Sequence, residues 1–262
     1  MDLQLKDKVA VVMAASRGLG AATARVFAEE GARVVISARD AEALHETAKA
    51  IAHATGARVL PVVADSSKAA DVQRLLETAV QAFGRIDALV VNAGGPPAGS
   101  FMAFDDADWQ QAVDLILMSA VRAARGVIPI MRRQGSGSIT FIASVSVKHA
   151  LDNLVFSNSL RLAVAGLVKT LAREVGPDNI RINIICPGYT ATDRVLSLAA
   201  LSAERNGTTL EEELAKSAAN TALKRIATVE EFARPCVFLA SPAASYITGT
   251  ALFVDGGQSR AL

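Results

Sequence analysis

Residues Lys8 to Gly20 read KVAVVMAASRGLG. Val9, Ala10, Val11 and Val12 form a short apolar run, the kind a strand makes when both of its faces are buried. Small residues end the run, Ser16-Arg17-Gly18-Leu19-Gly20 follows, and the spacing then turns helical with Ala22, Val26 and Phe27 around Ala21 and Ala24. Strand, glycine turn and helix in that order aim backbone N–H groups and a positive helix end at one point, which suits a phosphate. Gly18 and Gly20 let the backbone approach a pyrophosphate and let the helix sit close to the strand. The spacing is neither GxGxxG nor the Gly-Lys-Ser/Thr of a P-loop, and an ordinary strand-to-helix turn uses the same residues.

Outward from this stretch the pattern repeats. Strands are expected at Arg33–Ser37, Val59–Val63, Asp87–Val91, Ser138–Ala143, Ile180–Ile185 and Ala251–Val254. Between them helical spacing runs over Ala41–Thr55, Val72–Phe83, Trp109–Met131 and from Asp152, read as an N-cap, to Glu174. Thr228-x-x-Glu231 is a capping box opening a last helix, which Pro235 is expected to bend. Alternation of this kind predicts an α/β fold, a doubly wound, Rossmann-like parallel sheet of about seven strands with helices on both faces. Residues 1–262 read as one domain without linker or repeat. Ligands of such sheets sit beyond the carboxyl ends of the strands. That gathers the loops at 14–20, 37–40, 64–66, 92–97, 144–153 and 187–195 around one crevice.

Bulk composition narrows the function. Of the 262 residues 51% are hydrophobic but only 5% aromatic, so the core is built of Ala, Val, Leu and Ile. A net charge of +1 with interspersed signs argues against a nucleic-acid or acidic-membrane partner. Cys186 and Cys236 lie far apart without metal-ligand spacing, so no metal is expected. The start, MDLQLKDK, is charged rather than apolar, and the uncharged run from Pro235 to Val254 is interrupted by Pro242 and Gly249. The expectation is a soluble cytoplasmic protein.

The loops together resemble the short-chain dehydrogenase/reductase family, in the manner of its 3-oxoacyl-carrier-protein reductases, over essentially the whole chain. Met13 to Gly20 is similar to the family's TGxxxGxG, with Met13 for the Thr and Ala14 for the first Gly. Asn92-Ala93-Gly94 matches NAG, Pro187-Gly188 with Thr192 matches PGxxxT, and Asp65, followed by Ser66, matches the acid beside the adenine ring. The resemblance implies a nicotinamide dinucleotide held by Ser16, Arg17, Gly18, Leu19, Gly20, Arg39, Asp65, Ser66, Asn92, Ala93, Gly94, Arg161, Pro187, Gly188 and Thr192. Where NAD-preferring relatives carry an acid after the second strand, this chain has Ala38, with Arg39 beside it and Arg17 in the glycine loop. Guanidinium groups clamp a 2′-phosphate that a carboxylate would repel, so NADP(H) is expected over NAD(H).

The family's chemistry is carried by Asn, Ser, Tyr and Lys, and here the resemblance breaks. Ser144 keeps the serine, whereas Tyr becomes Ser157, Lys becomes Arg161 and Asn becomes Ile116. A serine hydroxyl is a far weaker acid than a phenol and shorter by a ring. Arg161 can hold ribose hydroxyls but cannot relay protons. The catalytic candidates are therefore Ser144, Ser157 and Arg161, with Lys148 and His149 as substitute acids if they face the crevice. The remaining tyrosines, Tyr189 and Tyr246, belong to other loops. Two functions follow: an NADP(H)-dependent oxidoreductase acting on a small carbonyl or alcohol with an altered catalytic set, or an inactive nucleotide-binding sensor or scaffold. A non-redox lyase or dehalogenase comes third, because halohydrin dehalogenases share the arginine but keep the tyrosine. Wide apolar bands on helices 109–131 and 154–174 suggest a homodimer or homotetramer. The polar segment 190–225, with Thr208-x-x-Glu211 as a cap, resembles a substrate lid.

Overall fold

The computed structural model describes residues 1–260. Its centre is a seven-stranded, wholly parallel sheet in the order β3-β2-β1-β4-β5-β6-β7. The strands are β1 (Val9–Val12), β2 (Arg33–Ala38), β3 (Val59–Val63), β4 (Ala88–Val91), β5 (Gly137–Ile142), β6 (Ile180–Pro187) and β7 (Ala251–Val254). All four residues of β1 are buried. Val9 and Val11, with Met13 beyond them, face one core while Ala10 and Val12 face the other, so the alternation of a strand is satisfied by apolar side chains on both sides.

Helices α1 (Gly18–Glu29), α2 (Ala41–Thr55) and α9 (Val229–Ala240) supply one of these cores. Helices α3 (Ala69–Phe83), α4 (Asp106–Val113), α5 (Ser119–Gln134) and α6 (Val155–Val175) supply the other. Two further helices, α7 (Asp193–Asn206) and α8 (Leu210–Ala219), stand between β6 and α9. Among the described residues no helix is long and apolar enough to cross a membrane.

Several sequence expectations are corrected here. The single helix expected over 109–131 is α4 and α5 joined by a π-turn at Asp114–Met118. Within it the Ser119 amide reaches back to the Asp114 carbonyl, while the Ser119 hydroxyl donates to Leu115 O (2.6 Å) and Ile116 O (3.1 Å). A hydroxyl that takes up freed carbonyls makes the wider turn tolerable. Asp152 is not the N-cap of α6, which starts three residues later after Leu154 and has no side-chain cap. Helix α3 begins at Ala69 rather than Val72. The polar segment after Thr190 is mostly helical, and its capping box is Thr209 with Glu212, one residue beyond the expected pair. Thr208 instead donates to Glu213 (2.7 Å). Two threonines followed by three glutamates offer both registers, and the helix start selects one. The box at Thr228 and Glu231 forms as expected, and α9 continues through Pro235.

Candidate active site

Strand order changes direction at β1, whose neighbours are β2 and β4, so the loops leaving β1 and β4 diverge above the sheet and open a crevice. Asn92, just past β4, pins the two walls by donating its amide to Ala14 O (3.1 Å). Ala14 sits in the left-handed region (φ 49°), the conformation that its glycine counterpart in the family pattern adopts freely. Gly20 is needed for a different reason: a Cβ there would lie 2.4 Å from the Ala14 carbonyl oxygen, so only glycine lets α1 rest on the loop. Gly188 is likewise enclosed, a Cβ falling 2.7 Å from the backbone of Asp255.

The crevice has a volume of about 720 Å³. Its walls bring together Arg17, Gly18, Leu19, Asn92, Ala93 and Gly94 from the first and fourth strand ends. Ser144, Ser157, Arg161, Pro187, Gly188 and Thr192 come from the fifth and sixth. Four of the six loops expected around the crevice, at 14–20, 92–97, 144–153 and 187–195, line it together with α6, whereas those at 37–40 and 64–66 do not. Ser16, Gly20, Arg39, Asp65 and Ser66 stand outside the walls. Ser16 gives its carbonyl to Thr47 (2.7 Å), and Gly20 is buried under the loop. Arg39 is exposed after β2. Asp65 accepts from the Ser67 amide and hydroxyl (2.9 and 2.8 Å) at the end of β3, the sheet's edge strand. Arg17 reaches toward the end of β2, with Asp40 at 3.8 Å and Asp193 at 3.7 Å.

Ser144 caps a short turn by accepting from the Ser146 amide (3.1 Å), which leaves its own proton free to donate. Ser157 is buried, 3.3 Å from the Ser146 hydroxyl. Arg161, one turn further along α6, donates to Ile142 O (3.1 Å). Burial lowers its pKa to about 10, the Cys186 thiol opposes this, and the like charge of Arg194 adds to it. It therefore stays protonated at neutral pH. Burial also pushes the Cys186 thiol up to about 12, which keeps it inert. Ile116, in the π-turn, faces Arg161 across a cavity of about 20 Å³, room for a single water.

Lys148 and His149 are corrected. Neither lines the crevice: Lys148 Nζ stands 5.9 Å from the Phe253 ring centroid, and His149 Nδ1 is buried without a hydrogen-bond partner among the described residues. Tyr189 does line the crevice, whereas Tyr246 is wholly exposed elsewhere. Sequence reading also missed Arg194 at the start of α7. It donates to Pro96 O (2.7 Å) on the opposite wall, and its only sequence signal was its place two residues after Thr192.

A parallel sheet with a crevice at the strand-order switch and a glycine turn at its edge defines the dinucleotide-binding α/β class. The sequence profile described as Enoyl-(Acyl carrier protein) reductase matches residues 13–259. The short-chain reductase protein NovJ of Streptomyces niveus is 36% identical, over 97% of this chain and 94% of that protein. Among solved structures, L-sorbose reductase from Gluconobacter frateurii complexed with NADPH and L-sorbose superposes with a TM-score of 0.95 at 39% identity, covering all of both chains. The actinorhodin polyketide ketoreductase with NADPH gives 0.93 at 28% identity, covering 97% of this chain and 98% of that one. The chain belongs to the short-chain dehydrogenase/reductase family.

Proposed function

We propose that the protein is an NADP(H)-dependent oxidoreductase that interconverts a small carbonyl compound and its alcohol with an altered catalytic set. The observation that carries this is the retained cradle beside a replaced relay. Gly94 meets nothing within 4 Å where a Cβ would stand, Gly20 lets the loop close, and the crevice volume falls within the range of cofactor pockets. These residues fit a dinucleotide. Relatives solved with NADPH, together with Ala38 in place of an acid, support the phosphorylated form.

Arg17 and Arg39 would hold the 2′-phosphate, Asp65 and Ser66 would lie beside the adenine, and Ser16, Gly18 and Leu19 would face the pyrophosphate, with Gly20 beneath them letting α1 close on the loop. Asn92, Ala93, Gly94, Arg161, Pro187, Gly188 and Thr192 would flank the nicotinamide half. When bound, the cofactor supplies or accepts a hydride. Ser144 donates its free hydroxyl proton as a hydrogen bond to the substrate oxygen and so orients the carbonyl. Arg161 contributes fixed positive charge where negative charge develops on that oxygen. Ser157 is an auxiliary donor, too weak an acid to protonate an alkoxide quickly, so the proton that completes the alcohol comes from water entering the open crevice. Loss of a general acid costs about 10²–10⁴-fold in rate, so slow turnover is expected.

Residues 1–262 act as one unit, with α7 and α8 at about 190–225 as a lid. Exposed Leu162, Ala163 and Gly166 on α6 support pairing with a second copy as a dimer or tetramer. The two unpaired thiols suit the reducing cytoplasm. A second reading, a nucleotide-binding sensor without turnover, is favoured by Ile116 and Ser157 alone. Fluorescence titration with NADPH, followed by a panel of carbonyl compounds read at the nicotinamide absorbance, separates the two. Binding with turnover supports the reductase, binding without turnover the sensor, and absence of binding removes both.

A further inference from the structure

Four arginines line the crevice. Arg17 stands by Asp40 and Asp193 and Arg205 is exposed, whereas Arg161 and Arg194 have no carboxylate partner among the described residues. Arg161 and Arg194 are each half-buried, both line the walls, and each gives one N–H to a backbone carbonyl. Arginine carries five donors in a rigid fork, so most of each fork has no partner among the described residues. Of the three acids that line the crevice, two are paired and Asp152 stands at its exposed margin. Asp193 stands by Arg17 at 3.7 Å and Glu213 by Lys216 at 2.6 Å. Asp152 is exposed, and Asp255, on the Cys186 side, accepts from the amides of Gly257 and Ser259. Two like charges held in a partly dry cleft repel each other and are poorly solvated, a cost that an anion placed between them removes.

We infer that Arg161 and Arg194 form a site for an oxyanion carried by the substrate, so the crevice takes a carbonyl compound, or its alcohol, bearing a carboxylate or phosphate group. This rests on the reductase reading and names its substrate class. It also gives physical sense to the altered residues. A lysine is a point charge, whereas the fork of Arg161 matches an oxyanion bidentately. Ser157, on the same face of α6, frees the volume of a ring beside it. Ser144, in the same crevice, is left to hold the carbonyl oxygen.

The test is saturation-transfer NMR titration of the intact chain with oxamate, methyl phosphate and the neutral oxamide, each with and without saturating NADPH. Oxamate or methyl phosphate should bind in the presence of NADPH, with oxamide at least about tenfold weaker. Arg194→Gln should weaken the anion about tenfold while Arg194→Lys keeps part of the affinity. The wild-type comparison of oxamate with oxamide needs no variant, so a misfolded mutant does not shelter the idea. Equal binding of oxamate and oxamide, or an Arg194→Gln protein that binds oxamate normally, overturns it. Displacement of both anions by NADPH also overturns it and assigns the pair to the cofactor's own phosphates. Anion binding in a chain that binds no NADPH would keep the oxyanion site and sink the reductase reading instead.

Discussion

Single residues set the limits of this site. Ala14 holds a φ of 49°, which costs an L-residue about 1–2 kcal/mol, and its carbonyl is tied to Asn92. Ala14→Gly should stabilise the fold by about 0.5–1 kcal/mol after the extra chain entropy of glycine is counted, roughly 2 °C in Tm by calorimetry. Arg39 is exposed where relatives that prefer NAD carry an acid near the ribose. Arg39→Asp should raise the Kd for NADPH by about tenfold or more and change that for NADH little, since a carboxylate repels only the 2′-phosphate. Equal losses by fluorescence titration would refute the assignment. In the proposed reading Ser157 and Arg161 stand where the family carries a proton donor and the group that raises its acidity. The double variant Ser157→Tyr, Arg161→Lys should raise kcat on uncharged ketones by about 10²-fold. A rate no better than wild type would show that the relay is not what limits turnover.

At the level of elements, the π-turn at Asp114–Met118 places Ile116 opposite Arg161, and Ser119 holds the turn open. Ser119→Ala leaves two carbonyls with poorer partners in a buried place and should cost about 1–2 kcal/mol by urea unfolding. This turn was hidden in the sequence because apolar spacing over 109–131 suits a regular helix equally well, and one extra residue in a turn shifts no charge or glycine. The lid was half legible. Its capping chemistry could be read, but with Thr208-Thr209 before Glu211, Glu212 and Glu213 two registers were equivalent until Thr208 was drawn to Glu213. Lys148 and His149 failed as substitute acids for a related reason. Proximity in sequence to Ser144 carries no information about which way a short turn directs each side chain, and after the turn at Val145–Val147 neither is among the residues that line the crevice.

Across the whole molecule, surface ion pairs tune acid stability. Glu231 is held at about 2, below its usual 4.5, first by the Arg225 fork (2.6 and 2.7 Å) and then by the Thr228 amide. A carboxylate with a depressed pKa stabilises the fold above about 4.5 and loses that contribution as pH falls toward 2. Glu231→Gln should therefore melt below wild type near neutral pH, and the gap in Tm should close between about pH 5 and pH 2. A gap independent of pH would show that the pair contributes nothing through charge.

The chain's own pattern determined the architecture. Buried parallel strands must be apolar on both faces, and the turns that end them need particular small residues, so both leave marks that local reading recovers. The glycine turn after β1 and the loops after β4 and β6 were legible for the same reason, since close backbone approach selects glycine and small side chains, whereas the loops at 37–40 and 64–66 do not line the crevice. Only the tertiary structure decided which charged side chains meet. Arg161 on α6 and Arg194 on α7 lie 33 residues apart and follow no shared motif. They share the crevice because β5, β6 and the helices packed on them set their positions, and long flexible side chains take their direction from neighbours that no local pattern names.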